Sequence, residues 1–308
     1  MKDFTNRQPG SKATAVAHIY QRARGGFQLF YTDVDFLVFF SVFCVFARKH
    51  NIRVFGLCPM FDHLHTAVEA IDRSSVSPFV RDASSYYARV MNTWTRTDCP
   101  FCFDRFGCAI KHGDKKIRTT FSYVYNNPGE KGLCAKAEDY RWTFLAYAVS
   151  NNPFSEPLRL RLASMPLRRA LKMIDYHVQK QLPLQHEWLT GVLDSLSSVE
   201  REQFIDYAIV SYNVIDYDGL LSYYGSYEKA CLAFASNQGS EYDIKEEYST
   251  DTHKGLIDIK CTLERIGKYH NVTDVIKTPL ENRNAIARLL YYDCRATPNQ
   301  IRKYLRLY

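Results

Sequence analysis

The chain has 308 residues, 46% of them hydrophobic and 24% charged, with a formal net charge of +7. That is the make-up of an ordinary soluble globular protein of two or three domains, mildly basic, so that a polyanionic partner is admitted but not required. The longest apolar run, Phe36 to Ala47, is shorter than the ~20 residues that span a bilayer, and the polar stretch Met1 to Lys12 has no signal-peptide pattern.

Nine cysteines, an odd number spread from Cys44 to Cys294, read as mostly buried thiols in a reducing cytosol. The 22 tyrosines suit stacking on unpaired bases, and equally core and helix packing.

In chain order, Ala13 to Arg24 alternates like a first strand, with Val16, His18 and Tyr20 on one face. Gly25-Gly26 is a turn and Phe27 to Tyr31 a second short strand. Thr32 or Asp33 can cap a helix from about Asp33 to His50. Arg53 to Val68 then reads as a strand, a short turn and another strand. Strand, strand, helix, strand, strand predicts a sheet covered by helices on one face.

Ser77-Pro78 opens a helix to about Trp94, with Ser as cap and Pro in the first turn. Phe103 to Lys111 is the next strand. Lys115 to Asn127 is a helix that Pro128 and Gly129 should stop.

Beyond about Tyr147 the pattern becomes helical: Arg159 to Tyr176, a helix opened by Ser197 and running to about Val214, Tyr223 to Ala235, and Ile257 to Tyr269. Gln238 to His253 reads as a polar linker. The last residues resemble a helix-turn-helix: Asn282 to Tyr292, a turn at Asp293 to Ala296, and a second helix after Thr297-Pro298. That second helix carries Asn299, Gln300, Arg302, Lys303 and Arg306, and Asn, Gln and Arg near a helix start are side chains that read bases in a major groove, or else form the solvated face of a plain hairpin.

The chemistry centres on His63 and His65. Two apart on a strand, they project from one face with Leu64 turned to the other. Such a pair is half of a divalent-metal site, or two polar residues on a solvated edge. Tyr123 and Asn127 are four apart on the next helix, on one face and a turn from each other. A tyrosine hydroxyl beside a metal-ligating carboxamide is a nucleophile beside its electrophilic activator. Tyr125 lies across the helix from Tyr123 and is the weaker candidate.

Four segments resemble the HUH single-tyrosine transposases, most closely the branch of REP-associated tyrosine transposases. They are Cys58 to His65, Phe103-Asp104-Arg105-Phe106, Tyr123 to Leu133 with its Asn127-Pro128 exit, and Asp139 to Thr143. The resemblance covers about Ala13 to Tyr147. It implies an α+β catalytic domain built on a ferredoxin-like antiparallel sheet, at residues 1–150, leaving a helical region at 151–275 and the helix-turn-helix-like element at 276–308. It implies Mg²⁺ or Mn²⁺ held by His63, His65 and Asn127. It also implies nicking and rejoining of single-stranded DNA beside a hairpin through a phosphotyrosine at Tyr123. Its setting would be the cytoplasm, on the nucleoid, and a homodimer stays open. The chain departs from the family at Asp62, where Asn is usual before the first His, and in the displaced Pro59; Asp62 could orient His63.

Lys111, Lys115, Lys116 and Arg118 cluster before the tyrosine helix and would hold a phosphate backbone, or simply solvate a turn. Cys99 and Cys102, with Cys108 and His112, have the look of a zinc knuckle, but one Cys-x-x-Cys is a weak signal. A DNA-binding protein without catalysis is one rival reading, and a metal-dependent hydrolase using the same histidines on another substrate is a second.

Overall fold

A computed structural model describes residues 10–236, 253–266 and 272–308. Four strands, β1 (Ala15–Arg22), β2 (Val54–Pro59), β3 (His63–Glu69) and β4 (Gly107–His112), form one antiparallel sheet in the order β2-β3-β1-β4. Helix α1 (Asp33–Lys49) connects β1 to β2, α2 (Ser77–Thr95) connects β3 to β4, and α3 (Asp114–Glu130) follows β4. The sheet with its many helices makes a mixed α+β fold.

The sheet is covered on both faces, not one. Ala17, Ile19, Leu57, Leu64 and Val68 join the core under α1 and α2, whereas Val16, Phe55, Cys58 and Ala67 pack with Ile117, Phe121 and Val124 of α3. Period-two alternation thus sends the odd and even residues of β1 and β3 to different helices, while a register shift between Val54 and Gly56 breaks the parity on β2, so that Phe55 and Cys58 share a face. The reading of one-sided cover had no place for α3 beneath the sheet. The histidine strand is therefore central, between β2 and β1, and buried throughout; it is not a solvated edge.

Helix α1 starts where Asp35 accepts hydrogen bonds from the Tyr31 and Thr32 backbone N–H groups at 2.8 and 3.0 Å, satisfying donors that a helix start leaves orphaned. Phe27 to Tyr31 is not a strand. Leu29 N and Phe30 N both donate to Phe61 O, and Gln28 N donates to Lys303 O, so the segment threads between the β2–β3 turn and the C-terminus. Helix α3 runs through Pro128 to Glu130. Proline forfeits its own N–H and crowds the carbonyl four residues back, but so near the helix end the later bonds survive: Lys131 N reaches Asn127 O and Leu133 N reaches Pro128 O.

Helix α4 (Met165–Gln179) begins six residues later than Arg159, because Ser164 caps it and Pro166 sits in its first turn. Helices α5 (His186–Ser195) and α6 (Ser198–Tyr212) follow. Left-handed Gly225, at φ 85°, separates α7 (Tyr217–Leu221) from α8 (Tyr227–Ser236) where one helix from Tyr223 was expected. The expected linker Gln238 to His253 lies outside the described residues except for His253. Helix α9 (Lys254–Ile266) is as expected, its reading beyond 266 again lying outside them. Helix α10 (Val272–Lys277) precedes the final pair, α11 (Leu280–Asp293) and α12 (Pro298–Leu305).

One apolar cluster runs from Ala17 through α1, α4, α5 and α6 to Leu290, Ile301 and Leu305. Arg306, after α12, is buried: its guanidinium donates to Cys99 O, Gln28 O and Pro100 O at 3.0, 2.7 and 2.9 Å and lies 4.0 Å from the Phe101 ring centroid. Arg283 of α11 is buried too, bonded to Leu305 O and paired with Asp98. The C-terminal hairpin is thus bolted to the loop before β4. Among the described residues no helix is long and apolar enough to cross a membrane.

Replacing Arg306 by Met would strip the buried Cys99 and Gln28 carbonyls and the half-buried Pro100 carbonyl of their donor, at about 1–3 kcal/mol for each buried one. Arg306→Met is expected to lower the unfolding free energy in urea by about 3 kcal/mol or more, whereas exposed Arg159→Met should stay within about 0.5 kcal/mol of the parent.

Candidate active site

The site lies between the α3 side of the sheet and α3 itself. Alternation on β3 brings His63 and His65 to this face, with ring centroids 5.0 Å apart. Alternation on β1 brings up His18, which the sequence reading passed over. His18 Nε2 lies 3.2 Å from His65 Nδ1, and the two rings stack.

Helix α3 crosses above. Asn127 Nδ2 lies 3.3 Å from His65 Nε2, and the Tyr123 ring stands edge-on to His65 and His18 at centroid distances of 5.1 and 5.3 Å. The i, i+4 spacing therefore delivers both side chains to the same imidazole. Tyr125 points elsewhere: its hydroxyl donates to Phe55 O at 2.8 Å and its ring stacks on Phe234.

Burial decides the charge state here. Desolvation, with the Lys111 charge adding to it, drops the His18 pKa to about 3. Burial, then the charges of His63 and His18, holds His65 well below its ordinary value. Both imidazoles are neutral near pH 7, as ligation or proton acceptance demands. If Asn127 donates through Nδ2, His65 accepts at Nε2 and donates from Nδ1 to His18, a tautomer inferred from the network.

On the other side of His63 is a second polar group. Asp62 Oδ1 lies 2.6 Å from His63 Nδ1 and 3.5 Å from His253 Nε2, and Asp62 Oδ2 lies 3.6 Å from Lys303 Nζ. Burial alone would raise the Asp62 pKa, but the His63 charge and hydrogen bonds from His253 and His63 outweigh it and hold the carboxyl well below its usual range. Asp62 is thus an ionised partner of His63, in keeping with an orienting role. Asp62, His63 and His253 each offer a ligand atom within 4.8 Å of the others.

The expected ligands His63, His65 and Asn127 are all buried on this face. Among the described residues, the buried Asn127 Oδ1 and His253 Nδ1 have no hydrogen-bond partner. Unpaired buried acceptors beside neutral imidazoles and an ionised carboxylate fit a divalent cation with nitrogen and oxygen ligands. The sequence contained no cue for His253, which follows a polar stretch and approaches the site only through tertiary packing. His18 had a cue, its strand parity with Val16.

The presumed DNA-contacting residues fare unequally. Lys115, Lys116 and Arg118 are exposed at the start of α3, and Lys111 is half-buried on β4. Of the candidates on α12 only Asn299 is exposed. Gln300 is buried, its Oε1 accepting from Thr297 N, so it closes a capping box and is turned away from any groove. Arg302 reaches back to Gly25 O and Lys303 to Asp62. Cys99, Cys102, Cys108 and His112 do not form a metal-binding group among the described residues.

No family model matches the chain, and no curated protein does. A solved structure of a REP-associated tyrosine transposase bound to a REP hairpin is similar, with a TM-score of 0.38 and 13% identity over 48% of this chain and 86% of that one. At that level the chemistry of the site rests on the residues above.

His18 binds a proton at about 3 when folded and at its ordinary 6.5 when unfolded. Between those values the unfolded chain holds more protons, so stability is full above about pH 6.5 and drains as pH falls toward 3. The cost at pH 5 is about 2 kcal/mol. In the presence of a chelator, the pH 7 to pH 5 stability loss should be smaller in His18→Asn than in the parent; equal losses would mean that another group carries the acid sensitivity.

Proposed function

We propose that the chain is a metal-dependent, HUH-type single-tyrosine enzyme that nicks and rejoins single-stranded DNA near hairpins. The observation that carries this reading is the meeting of Tyr123 and Asn127, one turn apart on α3, with His65 on the central strand. A hydrolase using water would have no need of that tyrosine. The order β2-β3-β1-β4, with helices after β1 and β3, is consistent with the ferredoxin-like β-α-β-β-α-β unit, and α11 and α12 with a helix-turn-helix-like hairpin.

In this reading Tyr123 Oη attacks a backbone phosphorus. The bond from phosphorus to the 3′ oxygen breaks, leaving a free 3′ hydroxyl and a 5′-phosphotyrosine; attack by a 3′ hydroxyl reverses the step. The phenolic proton goes to a base, and the neutral imidazoles of His65 and His18 are packed against that ring. His63, His65 and Asn127 would hold Mg²⁺ or Mn²⁺, which supplies Lewis-acid stabilisation of charge on the phosphate. Lys111, Lys115, Lys116 and Arg118 would track the strand's phosphates into α3. Tyr123 is 6% exposed, so the strand's entry requires the residues over it to part.

The test is a covalent adduct. With labelled hairpin DNA and Mn²⁺, the parent and Tyr125→Phe should yield an SDS-stable protein–DNA band, and Tyr123→Phe should yield none while binding DNA within a few-fold. DNA binding with no adduct from the parent would leave a binding protein without catalysis.

A further inference from the structure

We infer that His253 belongs to the metal centre, so that the C-terminal helices complete the site and do not merely append to it. This inference rests on the reading of His63 as a metal ligand.

His253 stands at the entry to α9, 190 positions beyond His63 in the chain, yet it is buried at 5% exposure against the β2–β3 turn. Its ring packs 5.8 Å from His63 and 5.4 Å from Phe61, centroid to centroid. Its backbone N–H donates to Lys131 O, just beyond α3. One residue thus touches both elements that carry the site, the histidine hairpin and the tyrosine helix.

A structural histidine in such a place would have both ring nitrogens satisfied. Here Nε2 faces Asp62 Oδ1 at 3.5 Å, a loose contact, and Nδ1 is buried with no partner among the described residues. Asp62 brings a carboxylate to the group, and with it the negative charge that a cation needs. Two imidazoles and one carboxylate with ligand atoms within 4.8 Å form a mixed nitrogen and oxygen donor set. That set favours Mn²⁺, Co²⁺ or Zn²⁺ over Mg²⁺, whose preference is for oxygen. Lys303 approaches Asp62 through the other oxygen, Oδ2, leaving Oδ1 to face the two histidines.

A cation held by Asp62, His63 and His253 would tie α9 to the sheet, and by linkage binding would stabilise the docked arrangement. Two measurements on the full-length chain test this. The first is calorimetric titration with Mn²⁺ and Co²⁺ of the parent, His253→Ala and the shape-conserving His253→Gln, with circular dichroism to confirm folding. Both variants should bind at least about 10-fold more weakly, and the parent should prefer Mn²⁺ and Co²⁺ to Mg²⁺. The second is hydrogen exchange in residues 254–266, which should slow when Mn²⁺ is added to the parent. Folded variants that bind with parental affinity, or α9 exchange indifferent to Mn²⁺, would overturn the inference. Tyr123→Phe should titrate like the parent. No DNA adduct from the parent, with intact, His253-dependent metal binding, would refute the enzymatic reading alone, and a parental adduct with metal affinity indifferent to His253 would refute this inference alone.

Discussion

The arrangement follows from β3 being buried on both faces. A strand between two others, covered by α1 and α2 above and α3 below, can carry polar side chains only if the protein supplies their partners. His65 meets His18 on one side and Asn127 on the other; His63 meets Asp62. Each partner comes from a different element: β1, α3 and the β2–β3 turn. A buried imidazole pair on the central strand thus dictates what its neighbours must present, and the same low dielectric that demands those partners keeps His18 and His65 neutral.

The position of α3 depends on a close approach to β2. A Cβ on Gly56 would lie 3.1–3.2 Å from the Tyr125 ring, tighter than packed atoms ordinarily allow. Glycine there lets the ring settle on the strand and its hydroxyl reach Phe55 O. Tyr125 is an anchor, and with it anchored, Tyr123 and Asn127 on the adjoining face of the helix turn toward the histidines. A structural tyrosine and the candidate nucleophile are two residues apart, and the helix sends them to different environments.

The C-terminal region engages this site through charged groups that have left water. Arg306 and Arg283 bind backbone carbonyls of the loops around β1, of the loop before β4 and of α12, while Lys303 and His253 reach Asp62. Buried guanidinium groups with their donors matched to carbonyls hold one geometry and tolerate few others. This places the final helix under a packing constraint that a freely tethered reading head would lack. Its Gln300 and Lys303 face the protein accordingly.

The sequence by itself determined the local elements and the residue types of the site. Strand parity placed His63 and His65 on one face, helical spacing placed Tyr123 with Asn127, and Thr297-Pro298 marked the start of α12. These are short-range matters, governed by backbone periodicity and capping. Only the tertiary structure decided that the histidine strand is central, that α3 lies under the sheet, that Phe27 to Tyr31 is a buried coil and that His18 and His253 join the site. Those outcomes depend on which elements meet in space. Hydrophobic burial drives such meetings but is non-directional, so no local pattern reports that residue 253 will lie against residue 63.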